Sequence, residues 1–63
     1  MMLTKIIEKL IGTYVYIYVN NISKEFAGKI DSVIDNEIVV VEDKNNNLIN
    51  IPISEISVIT ERR

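Results

Sequence analysis

The chain has 63 residues, 48% of them apolar, with nine acidic and seven basic side chains and a formal net charge of −2. It has neither Cys nor His, which excludes a disulfide and the commonest metal sites and leaves its serines without an activating imidazole. A chain this short holds one domain, residues 1–63, whose core supplies only about 3–5 kcal/mol, so its apolar surplus points to burial by self-association.

Leu3, Ile6, Ile7, Leu10 and Ile11 recur at three- and four-residue spacing, with Lys5, Glu8 and Lys9 between them. This pattern predicts an amphipathic helix over 3–11 that packs on a sheet. Thr4 is placed to cap its start, and Gly12 to follow its end. The polar face carries too few cations for a membrane-surface helix. No apolar run is long enough to span a bilayer, and no signal-peptide pattern opens the chain, so a cytoplasmic location with no membrane partner is expected.

Residues 14–60 read as five strands. Tyr14 to Val19 alternates tyrosine with aliphatic residues, so Val15, Ile17 and Val19 face a core while Tyr14, Tyr16 and Tyr18 face away. Asn20-Asn21 is a turn. A long second strand runs from about Lys24 to Ile34, and Gly28 in its middle marks a sharp bend or a close backbone approach. Asp35-Asn36-Glu37 is the next turn. Ile38 to Val41 is apolar on both faces, as in a strand covered on both sides. Asp43 to Asn47 is a loop, and Leu48 to Ile51 a fourth strand that Pro52 ends. Ile53 to Ile56 suits one tight helical turn, 57–60 a short fifth strand, and 61–63 a frayed tail.

The helix, the segment Tyr16-Ile17-Tyr18-Val19-Asn20, the bend glycine of Gly28-Lys29-Ile30-Asp31-Ser32-Val33, Asp35 before the third strand, and Ile51-Pro52-Ile53-Ser54-Glu55-Ile56-Ser57-Val58-Ile59 together resemble the Sm-like family, and within it the Hfq-like branch. The resemblance covers nearly the whole chain. It implies a mainly β fold: a short N-terminal helix followed by a strongly bent five-stranded antiparallel Sm-like (SH3-like) barrel. It also implies a homo-oligomeric ring of about five to seven copies, closed by strand four of one copy on strand five of the next. Its members bind single-stranded RNA. Asn50-Ile51-Pro52-Ile53 stands where that family carries Arg-Gly or Tyr-Lys-His, and Asn36 comes earlier than the family's asparagine, so the implied RNA binding has low sequence specificity.

The expected RNA-contacting residues are Asp35, Asn36 and Asn50 at turns and strand ends, Tyr14, Tyr16 and Tyr18 as stacking groups, and Lys24 and Lys29 for phosphate. Lysines gathered on one face, Lys44 included, would favour RNA; dispersed lysines would favour a scaffold. The segment Ile51 to Ile56 is also similar to the PRC-barrel family, whose members are interaction modules, and a non-enzymatic scaffold without nucleic-acid binding is the alternative. Asp31, Asp35, Glu37, Glu42 and Asp43 read as a solvated acidic rim rather than a catalytic pair. No enzyme activity, cofactor or metal is expected.

Overall fold

A computed structural model describes residues 2–62. The helix α1 spans Met2–Lys9. It is followed by β1 (Tyr14–Val19), β2 (Glu25–Ile34), β3 (Ile38–Glu42), β4 (Leu48–Pro52), a 3₁₀ turn at Ile53–Glu55, and β5 (Ile56–Glu61). The strands form one antiparallel sheet in the order β4-β3-β2-β1-β5. The sheet is open: among the described residues β4 and β5 form no ladder with each other.

The helix is shorter than 3–11 because its last turn tightens. The Leu10 N–H donates to Ile7 O at 2.9 Å and the Thr13 N–H to Leu10 O at 2.8 Å, while Gly12 takes a φ of 87°. That left-handed conformation suits glycine. It lets the Gly12 N–H donate to Ile30 O at 2.8 Å, which ties the end of the helix to β2. Thr4 is no cap. It lies inside α1 at 3% exposure, and its hydroxyl has no hydrogen-bond partner among the described residues. Ile7 is fully buried and anchors the helix to the sheet, with Leu3 and Leu10 packed beside it.

The core draws on every element. Ile7, Val15, Ile17, Ile30, Val39, Val41, Ile51, Ile53 and Ile56 form one cluster. Burying a side chain of this size stabilises by about 1.5–3 kcal/mol. Val39, Val40 and Val41 are all buried, so both faces of β3 are covered as its sequence predicts.

Three local devices set the register. Asp35 and Asn36 both have positive φ, 51° and 59°, and the Glu37 N–H donates to Ile34 O at 2.9 Å, which is the mirror-image turn that suits a right-twisted hairpin. Of Asn20 and Asn21 only the latter has positive φ. Between β2 and β3 the pairing steps from Ile30↔Val41 to Ser32↔Val40, so Asp31 is an extra residue. This bulge lets Ile30 and Val33, three positions apart, both face the core. Gly28 packs where β2 meets the end of β3. A Cβ there would lie 2.5 Å from Glu42 O and 2.6 Å from Val41 Cγ1.

The sheet coils tightly. The Asn20 N–H, at the end of β1 beside the start of β2, donates to Glu55 O at 2.8 Å. The Ile53 N–H donates to Glu37 O, beyond the far end of β2, also at 2.8 Å. A straight β2 would hold those ends about 30 Å apart at ~3.3 Å per residue. The three-residue 3₁₀ turn reaches both, spanning about 6 Å at ~2.0 Å per residue.

Both free edges of the sheet follow from the same bonds. The Ile53–Glu37 bond makes Ile38↔Pro52 a non-hydrogen-bonded pair, so the N–H and C=O groups of Leu48 and Asn50 face the open edge of β4. Pro52 does not stop the strand before itself. It is the last rung, and its ring nitrogen points to that edge, the place where a strand tolerates proline. On β5 the Arg62 N–H donates to Tyr14 O at 2.9 Å, which leaves the backbone groups of Ile59 and Glu61 on the opposite free edge. Residues 61 and 62 are therefore not a frayed tail. Glu61 is in the strand and Arg62 continues its ladder, while Arg63 lies outside the described residues.

Candidate nucleic-acid interface

The alternation of β1 puts Val15 and Ile17 in the core and leaves the three tyrosines on the outer face, with Tyr14 and Tyr16 half-buried and Tyr18 exposed. The helix does not cover them, since Ile7 packs with Val15 and Ile17 on the inner side. The rings of Tyr14 and Tyr16 meet edge to face, 6.4 Å between centroids at 70°.

Cross-strand register gives each tyrosine its neighbours. Tyr14 lies between Lys29 of β2 and Arg62, Tyr16 between Ala27 and Thr60, and Tyr18 between Glu25 and Val58. The Arg62 guanidinium sits over the Tyr14 ring, 4.8 Å from its centroid. At the other end the Tyr18 hydroxyl donates to the Glu25 carboxylate. That hydrogen bond, and the charge behind it, push the Tyr18 phenol above its ordinary range. The stripe is thus cationic at Tyr14, neutral at Tyr16 and anionic at Tyr18. Beyond Lys29 the first rung continues to Glu42 of β3.

The other expected contacts lie apart from this stripe. Asp35 and Asn36 form the β2–β3 turn, and their conformation is used by the hairpin itself. Asn36 also lines a half-open cleft of about 310 Å³ with Glu37, Ile38, Pro52, Ile53 and Ser54. Asn50 is exposed on the edge strand β4, opposite Val40. Lys24 precedes β2, with its ammonium 5.2 Å from the Phe26 ring, and Lys44 is in the β3–β4 loop. Lys24, over Phe26, is turned away from Lys29, which lies beside Tyr14. The cation that flanks Tyr14 opposite Lys29 is Arg62, which the sequence pattern assigns to a tail. The signal for it was the parity of Val58, Thr60 and Arg62, which continues the outer face of β5.

The acidic residues are divided as well. Asp35 and Glu37 occupy the hairpin, while Glu42 and Asp43 lie at the opposite end of β3. Asp43 organises its loop: one carboxylate oxygen accepts from the Asn45 and Asn47 N–H groups, each at 2.9 Å. The Asn47 N–H, aided by that of Asn45, holds the Asp43 carboxyl below the usual aspartate range. Among the described residues no group of three or more carboxylates is placed to hold a metal ion, and no helix is long and apolar enough to cross a membrane.

No protein family, curated protein or solved structure matches the chain.

Proposed function

We propose that this chain is a cytoplasmic, non-enzymatic Sm-like barrel that assembles into a ring of about five to seven copies and binds single-stranded RNA with low sequence specificity. The observation that carries the RNA reading is the stripe Tyr14, Tyr16, Tyr18 on the outer face of β1, with Lys29 and Arg62 at one end. Every base has a π-face, so stacking on tyrosine, worth about 1–3 kcal/mol per base, does not depend on sequence. Repetition around a ring turns such weak contacts into useful avidity.

The assembly reading rests on the two open edges. Leu48 and Asn50 on one side and Ile59 and Glu61 on the other offer unpaired backbone groups, and unpaired edges invite pairing. Leu48 and Val58 are exposed on these same strands, at 61% and 49%. Tight coiling of the sheet, with Gly28 at a close strand contact, supports a barrel.

A second reading is a PRC-barrel-like scaffold without nucleic acid, favoured by the separation of Lys24, over Phe26, from Lys29, beside Tyr14, and by the charge of −2, which repels phosphate at long range. Fluorescence anisotropy with short oligo-A and oligo-U at two salt concentrations separates the two. The RNA reading expects micromolar or weaker binding with a shallow salt dependence. Absence of binding at low salt by an intact oligomer would leave the scaffold.

A further inference from the structure

We infer that a phosphate of the bound strand sits between Lys29 and Arg62 above Tyr14, and that the neighbouring base stacks on Tyr16; this rests on the RNA reading above. Four observations lead there. First, Lys29 and Arg62 are the two cross-strand neighbours of Tyr14, so their Cα atoms are about 10 Å apart with the ring between them, within reach of a common anion. Second, Arg62 is not a loose terminal side chain. Its N–H is fixed to Tyr14 O at 2.9 Å, and its guanidinium already lies against the ring, so little ordering remains to be done on binding.

Third, the charge runs in one direction along the stripe. Two cations and the carboxylate of Glu42 share the first rung, the second is uncharged, and the third carries Glu25 bonded to Tyr18. Phosphate is favoured at the Tyr14 end and opposed at the Tyr18 end. Fourth, the guanidinium covers Tyr14, which removes that ring as a base platform, whereas half-buried Tyr16 meets Tyr14 edge to face along the strand and is flanked across it by the small side chains of Ala27 and Thr60. The base therefore stacks one rung away from the phosphate.

The test compares wild type with Arg62→Gln, Arg62→Lys, Lys29→Gln and Lys44→Gln, using labelled oligo-A and oligo-U over a salt series, with circular dichroism melts to confirm folding. Arg62→Gln and Lys29→Gln are each expected to weaken binding several-fold and to lower the slope of log K against log salt, by up to about 0.7 for each phosphate they share. Arg62→Lys should keep the slope, and Lys44→Gln should match wild type. If wild type binds and Arg62→Gln and Lys29→Gln bind equally well with an unchanged slope, this assignment is overturned while the RNA reading stands. If wild type binds neither oligonucleotide at low salt, both fall.

Discussion

At the scale of single residues, Gly28 is the position with least freedom. Any side chain there meets a backbone oxygen of β3, and backbone yields less readily than a flexible side chain. Gly28→Ala is expected to destabilise the fold by about 1–3 kcal/mol, read from urea unfolding; a change under ~0.5 kcal/mol would mean that β2 and β3 are not so closely packed. Asp43 gives a pH signature. Its folded pKa is depressed, so its loop contribution is present above the unfolded aspartate value of about 3.9 and is lost as pH falls through the folded value. Thermal melts from pH 6 to 2 should show wild type losing more stability in acid than Asp43→Ala. Gly28 was legible as a glycine inside a strand. Thr4 looks like a cap only if the helix starts after it; the helix starts at Met2, so Thr4 lies within the first turn, three residues before buried Ile7.

At the scale of elements, the strands of the sheet were legible wherever apolar and polar residues alternate, as in β1, or where turn residues bound a run, as at Asp35-Asn36. Two features were not. The Asp31 bulge is visible only as the odd spacing of Ile30 and Val33, and the extension of β5 to Glu61 depends on pairing with β1 rather than on the hydropathy of Thr60-Glu61-Arg62. The same extension made Arg62, the cation over the Tyr14 ring, hard to find. The edge of β4 carries its own prediction. Leu48 is mostly exposed, so Leu48→Lys should change protomer stability by no more than about 0.5 kcal/mol while placing a charge on a strand that has none. Gel filtration should then show the variant dissociating at concentrations where wild type stays assembled.

At the scale of the whole molecule, composition points to assembly before any tertiary packing is known. The chain is 48% apolar, and its described residues bury one cluster of nine aliphatic side chains and still expose Ile6, Ile11, Ile22, Ile34, Leu48 and Val58. Coiling of the sheet was foreshadowed by the long β2 with its central glycine, but the meeting of the 3₁₀ turn with both ends of β2 is a tertiary event that no local pattern encodes. The two open edges then define what a neighbouring copy would find. Multi-angle light scattering at micromolar concentration tests this most directly. A closed ring predicts a mass about five to seven times that of one 63-residue chain, unchanged on moderate dilution; the mass of a single chain would contradict it.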